Sequence, residues 1–214
     1  MNQAMAILLP GNMCDARLWS GGGELLRTML DRRSISWTNA DLTRDDSISA
    51  MATRALAAVD GPVLPIGFSM GAIVAVEMAM LAPQRVAGLV LAGYNATADL
   101  PERAAIRPQQ QAEVRAGGLE RVLVEELKPN YLADPNRRDA NLLALLRDMG
   151  LELGDEVFIR LTYVSADDRI TLQAYVENLE DHAVLNRTAI GANRSINASY
   201  ALPRTYGVKA GYKF

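Results

Sequence analysis

Residues 65–71 constrain the fold of this chain more than any other stretch. They read Pro65-Ile66-Gly67-Phe68-Ser69-Met70-Gly71, between a short apolar run and the small, apolar segment 72–81. This pattern predicts a strand, a sharp turn with Ser69 at its tip, and then a helix. Glycine suits the positions two residues before and two residues after Ser69, because larger side chains there would collide with the neighbouring strand and helix. The Ser69 hydroxyl is therefore expected above the sheet edge, at the positive end of the helix.

Strands and helices alternate along the first 91 residues. Apolar runs predict strands at Ala4–Leu9, Ser34–Thr38, Val63–Ile66 and Val86–Leu91. Helical patterns lie between them at Arg17–Leu30, Ser47–Val59 and Ala72–Leu81, with Ser47 as the N-cap of the second helix. Strands that alternate with helices at such short spacing indicate a doubly wound parallel sheet.

The segment from residue 99 to about 160 has helical periodicity only. Its three candidate helices are Glu102–Ala116, Leu119–Leu127 and Asn141–Met149. A helical block inserted after such a strand is interpreted as a lid over the site, and ordinary crossover helices are the alternative.

Composition excludes several classes of protein. The chain has 214 residues, is 50 % hydrophobic and carries a net charge of -3, which is typical of one globular core or a domain with an appendage. It has no basic run, so we expect no nucleic-acid partner. Its single cysteine, Cys14, excludes an internal disulfide. Because we see neither a signal peptide nor an apolar run of roughly 20 residues, we expect a cytoplasmic protein without membrane association.

The character of the sequence changes near residue 160. All nine methionines lie at or before Met149, and five of the seven tyrosines lie at or after Tyr163. Apolar side chains then recur at every second position, first at Ile170, Leu172, Ala174 and Val176, and again at Tyr206, Val208, Ala210, Tyr212 and Phe214. This alternation predicts strands, either of a soluble antiparallel hairpin or of a membrane barrel.

Residues 1 to about 160 resemble the α/β-hydrolase family. The resemblance rests on the stretch Leu8–Trp19, on the Gly67–Gly71 motif with its following helix, and on Ala116–Tyr131, which is similar to the family's helical cap. It implies an α/β fold: a truncated, doubly wound, mostly parallel sheet with a cap over about 99–160. It further implies Ser69 as the nucleophile, the backbone N–H groups of Met70 and Asn12 as the oxyanion hole, and a small ester or related acyl substrate. No cofactor or metal is implied.

Residues from about 161 to 214 resemble something unrelated, the last strands of a TonB-dependent outer-membrane receptor. The stretch Pro203–Phe214 carries most of this resemblance. We therefore predict a fusion of two segments, a hydrolase-like domain at 1–160 and a receptor-like β segment at 161–214, with the seam near Arg160.

A junction near residue 160 would remove the residues that normally activate the catalytic serine. A catalytic serine requires a histidine base, and a carboxylate must orient that histidine. In the α/β-hydrolase family both follow the cap, where this sequence has already changed character, and the loss of the last strands should also expose a sheet edge. The only histidine, His182, lies in Asn178-Leu179-Glu180-Asp181-His182 and is interpreted as a solvent-exposed turn residue rather than a base.

Three functions remain open from the sequence. The first is a serine hydrolase of impaired activity. The second is an inactive hydrolase-fold protein that binds small apolar ligands, and the third is a fragment of a membrane receptor.

Overall fold

The computed structural model of the chain describes residues 4–20, 24–94, 101–132 and 136–164, together with the backbone of four strands between residues 170 and 212. The chain forms two compact units. The first comprises Met1–Asn95 and Asp99–Asp167, and the second comprises Ala96–Ala98 and Asp168–Phe214.

The first unit contains a four-stranded parallel sheet in the order β2-β1-β3-β4. Its strands are β1 (Met5–Leu9), β2 (Trp37–Asn39), β3 (Val63–Phe68) and β4 (Val90–Ala92). The connecting helices are α1 (Glu24–Arg32), α2 (Ile48–Ala57) and α3 (Met70–Leu81), and a 3-10 turn spans Ala16–Trp19. The predicted α/β fold with a parallel sheet is therefore confirmed.

Strand β1 shows how the sheet divides the core. Successive side chains of a strand point to opposite faces. Ala6 and Leu8 accordingly join the apolar cluster on the α1 side, and Ile7 and Leu9 join the cluster formed with α2 and α3. All four are at most 1 % exposed. Both faces of the sheet are therefore covered at β1, as is typical of a parallel sheet.

Two strands are shorter than predicted. β2 begins at Trp37 rather than Ser34, because Ser34 has a φ of 55° and the N–H of Ile35 still bonds to Leu30 O at the end of α1. β4 begins at Val90 rather than Val86, which forms only an isolated bridge to Val63.

Strand β4 forms one edge of this sheet. The side chain of Val90 on it is 42 % exposed. Among the described residues, no strand pairs with the other side of β4.

The remaining elements of the first unit are helical. They are α4 (Pro101–Arg115), α5 (Leu119–Arg121), which continues as a π-helical segment (Val122–Leu127) and a 3-10 turn (Lys128–Tyr131), and α6 (Ala140–Val164). α6 is interrupted at Gly154, where φ is 80° and ψ is 176°. Helices occur at the first two predicted segments, but α6 does not end at Met149 as predicted. It continues to Val164, past the position near 160 at which we predicted the seam. None of the described helices is long and apolar enough to cross a membrane.

The second unit contains two antiparallel strand pairs. β5 (Ile170–Glu177) pairs with β8 (Thr205–Tyr212), and β6 (Leu185–Ile190) pairs with β7 (Ile196–Tyr200). The receptor-like character of residues 161–214 stays a prediction.

Candidate active site

Ser69 lies at the junction between β3 and α3. Its φ is 52° and its ψ is -116°, a backbone conformation that L-residues adopt rarely. The turn is held on both sides, since the N–H of Ser69 donates to Ala92 O at 2.9 Å and the N–H of Ala72 donates to Ser69 O at 2.9 Å. A strained conformation of this kind persists where the surrounding structure determines it, and it is found most often at functional sites.

The glycines at positions 67 and 71 make the close packing around Ser69 feasible. A Cβ atom on Gly67 would lie 2.3 Å from Gly71 O, and one on Gly71 would lie 2.1 Å from Leu9 O. These contacts are with backbone atoms of α3 and β1, which no side-chain rotation can relieve. The sequence-based reason for the two glycines is therefore confirmed.

The loop that follows β1, residues 10–15, lies beside Ser69 and is called the β1 loop below. A Cβ atom on Gly11 would lie 3.4 Å from Ser69 Cβ and 3.0 Å from Phe68 Cδ1. The loop is closed by a hydrogen bond of 3.2 Å from Cys14 N–H to Gly11 O. Met13, in the middle of this turn, has a φ of 51°.

Two backbone N–H groups in the segments next to Ser69 have no hydrogen-bond acceptor among the described residues. Met70 begins α3, so its N–H has no acceptor within the helix. The N–H of Asn12 donates to no acceptor among the described residues. The buried Oδ1 of Asn12 also has no hydrogen-bond partner in the described part of the chain.

The 3-10 turn Lys128–Tyr131, which follows the π-helical segment, contacts the β1 loop. Lys128 Nζ donates to Met13 O at 2.7 Å and lies 3.8 Å from Cys14 Sγ and 4.7 Å from the centre of the Tyr131 ring. The Tyr131 hydroxyl donates to Asn12 O at 3.3 Å. Lys128 is only 1 % exposed, which is rare for lysine. Sequence reasoning missed both residues, because no local pattern indicates a contact between positions 115 or 119 residues apart.

Burial shifts the pKa of the groups around Lys128. It lowers the pKa of Lys128, although Cys14 and Asp15 partly offset this, and it raises the pKa of the Cys14 thiol. Both shifts favour the uncharged form of the group concerned.

Asp15 and Arg17 tie the end of the β1 loop to α6. Asp15 Oδ1 accepts the backbone N–H of Arg17 at 2.8 Å, and Arg17 Nη1 donates to Glu152 Oε1 at 3.0 Å. Burial alone would raise the pKa of Asp15, but the hydrogen bonds from Arg17 outweigh it and hold that pKa below its usual value.

Residues 6–203 match the alpha/beta hydrolase family. The chain belongs to this family. The match extends beyond residue 160, into the part for which we predicted a different origin. No curated protein sequence matches the chain.

Three solved structures resemble this hydrolase-family chain. A thermophilic esterase from Thermogutta terrifontis has a TM-score of 0.62 and 22 % identity, and an enol-lactonase from Burkholderia xenovorans has 0.60 and 16 %. A carboxylesterase from Nitrososphaera gargenis has 0.57 and 13 %. The alignments cover 78 %, 78 % and 77 % of this chain and 65 %, 66 % and 64 % of those chains, so this chain spans less than two thirds of their length. At these identities the likeness shows the fold alone.

The structure brings together three of the four residues that the sequence singled out. Ser69 and Met70 are consecutive at the start of α3, and Asn12 lies in the β1 loop beside them. His182 lies outside the described residues. Within the described part of the hydrolase-family chain there is no histidine and no cluster of His, Cys, Asp and Glu that could hold a metal ion.

Proposed function

We propose that this chain is a serine hydrolase that acts on a small ester or related acyl substrate, with Ser69 as its nucleophile. The observation that carries the proposal is the strained turn at Ser69, which starts α3 and adjoins the β1 loop. We assign the oxyanion hole to the backbone N–H groups of Met70 and Asn12. The helical segment 99–160 is assigned the role of a cap over the substrate.

The reaction begins when Ser69 Oγ attacks the acyl carbonyl carbon. The carbonyl oxygen then becomes an oxyanion, and the two N–H groups stabilise it more strongly than they bind the ground-state carbonyl. Collapse of the tetrahedral intermediate expels the alcohol and leaves an acyl group on Ser69, and water releases this group as the carboxylic acid. An esterase and an enol-lactonase have similar structures, so esters and lactones are the substrates to try first.

The proton of the Ser69 hydroxyl must pass to a base. The only histidine of the chain is His182, and the described residues around Ser69 include none. Without a triad member the oxyanion hole and substrate binding retain roughly 10³–10⁴-fold catalysis over water. We therefore expect turnover to be impaired.

The lack of a histidine in the described site also favours a second function, an inactive hydrolase-fold protein that binds small apolar ligands. The third hypothesis, a receptor fragment, rests on residues 161–214 alone, and nothing around Ser69 favours it.

Covalent labelling with a fluorophosphonate probe tests the proposal. The probe requires an activated serine and a working oxyanion hole but no particular substrate. We expect the folded protein to be labelled and Ser69→Ala to abolish labelling. Labelling that His182→Ala also abolishes would identify His182 as the base, whereas labelling that survives this change would assign the proton to another group. A folded protein that is not labelled would instead favour the ligand-binding function.

A further inference from the structure

We propose that Lys128 is a positioning residue, whose ammonium group fixes the β1 loop so that Asn12 N–H points at the oxyanion formed on Ser69. This inference rests on the proposed function. Lys128 does not touch the reacting atoms in this scheme, and it acts on them through the backbone of the β1 loop.

The coupling runs through two planar peptide groups. Lys128 Nζ holds Met13 O at 2.7 Å, and because a peptide group is planar, this also fixes the direction of the N–H of Cys14. That N–H donates to Gly11 O at 3.2 Å. Gly11 O belongs to the same peptide group as Asn12 N–H, so its direction sets the direction of the proposed oxyanion donor.

The remaining peptide group of the turn is held from the same side. The carbonyl of Asn12 accepts a hydrogen bond from Tyr131 OH at 3.3 Å. The turn Lys128–Tyr131 thus binds two successive carbonyls of the β1 loop, those of Asn12 and Met13. Together with the hydrogen bond from Cys14 N–H to Gly11 O, these contacts fix the orientation of all three peptide groups between Gly11 and Cys14.

The loop conformation needs such support. Met13 has a φ of 51°, and a non-glycine residue with positive φ persists only where its surroundings determine it. Burying an ammonium group is costly unless it is well bonded. Lys128 is 1 % exposed, and its bonded partners among the described residues are Met13 O and Cys14 Sγ, not a carboxylate. The direct hydrogen bonds of this buried group are therefore made to the β1 loop itself.

Packing provides the competing explanation. The side chains of Met13 and Cys14 are only 0 % and 3 % exposed, and Cys14 packs against Leu146 and Met149 of α6. If these apolar contacts were sufficient, the β1 loop would keep its conformation without the ammonium group. Removing the charge and donors of Lys128 while leaving the apolar contacts in place separates the two explanations.

The test compares Lys128→Met, which keeps an unbranched chain of similar length, with Lys128→Arg, which keeps charge and N–H donors. Arg121→Met is the matched control, since Arg121 is a cation of the same helical segment that pairs with Glu113 and Glu126 and not with the β1 loop. Lys128→Gln, which loses the charge but keeps N–H donors, serves if the methionine variant does not fold. Two quantities are measured on each folded variant: hydrogen exchange of the peptide covering residues 10–15, and the concentration dependence of fluorophosphonate labelling.

We expect Lys128→Met to speed amide exchange in the β1 loop and to lower the maximal labelling rate by about tenfold to a hundredfold, less than the roughly 10²–10³-fold cost of removing a whole oxyanion donor. The half-saturating probe concentration should change by less than about twofold, because the lost interaction belongs to the transition state. Lys128→Arg should recover part of the rate, and Arg121→Met should change neither quantity. Lys128→Gln should act in the same direction as Lys128→Met.

Unchanged exchange in the β1 loop of Lys128→Met would overturn the proposal whatever the labelling shows. Faster exchange with an unchanged labelling rate would overturn the positioning role. If the β1 loop of Lys128→Met exchanges faster but the folded wild-type protein is not labelled, the proposed function is refuted. The contact between Lys128 and the loop would still be supported.

Discussion

Replacing Gly71 by alanine should destabilise the first unit and disturb the site at the same time. The new Cβ atom would lie 2.1 Å from Leu9 O and 2.6 Å from Pro10 O. Contacts below 3.0 Å essentially never occur for real Cβ atoms, so Leu9 O and α3 must separate by about 0.9 Å. Overpacking usually costs 1–3 kcal/mol, and because the opposing atoms are backbone, we expect a loss near the upper end, about 3 kcal/mol.

Urea unfolding followed by tryptophan fluorescence measures this loss. Both tryptophans of the chain, Trp19 and Trp37, belong to the cluster on the α1 face of the sheet, so the signal reports on the first unit. With a slope of about 2 kcal/mol per molar urea, the midpoint should fall by roughly 1.5 M. The control is Gly88→Ala, whose Cβ atom would meet only the flexible Leu64 Cδ1 at 3.0 Å.

The same displacement should reach Ser69. Leu9 and Pro10 lead into the β1 loop, and Gly11 in that loop packs against Ser69. A misplacement of about 1 Å can cost on the order of 10²-fold in rate, so the fluorophosphonate labelling of Gly71→Ala should fall by that factor. If the alanine variant kept both the wild-type midpoint and the wild-type labelling rate, the reasoning from backbone overlap would be refuted.

Three further predictions concern stability. Ser69→Gly should abolish labelling yet raise the free energy of unfolding by about 1 kcal/mol, because glycine adopts a φ of 52° without strain; a lower urea midpoint would contradict this. Arg85→Ala should lower that free energy by about 2 kcal/mol, since the guanidinium group donates to carbonyls at and beyond the end of α2; an unchanged midpoint would contradict it. Asp15 should stabilise the fold above its unfolded pKa of about 3.9 and lose this contribution as pH falls through its lower folded pKa. Midpoints measured between pH 6 and pH 3 should therefore fall less for Asp15→Asn than for the wild type.

Local signals predicted most of the elements. Ser47 is the N-cap of α2, as predicted, and its Oγ accepts the N–H of Ala50 at 3.2 Å. β1, β3 and α3 are also found where the apolar runs placed them. Two errors concern the residues at which strands begin. The turn at Ser34 delays β2, and the pairing of β4 with β3 begins only at Val90.

The candidate site was predictable only in part, for a related reason. Ser69 and its glycines form one short motif, and the steric demands of a sharp turn act between residues a few positions apart. Asn12 was found through resemblance, because nothing local distinguishes its loop from an ordinary strand-to-helix turn. Lys128 and Tyr131 were missed, because their contacts with the β1 loop join distant segments of the chain.

The sequence by itself determined the alternation of strands and helices and the strained turn at Ser69. These follow from hydrophobic periodicity and from steric exclusion, both of which act over a few residues. Only the tertiary structure decided that a buried lysine of the helical segment binds the β1 loop, and that this loop lies against the serine. The physical reason is that these contacts form only when packed helices and strands bring distant residues together. A lysine that binds a distant backbone carbonyl produces no periodic pattern in the sequence by which it could be predicted.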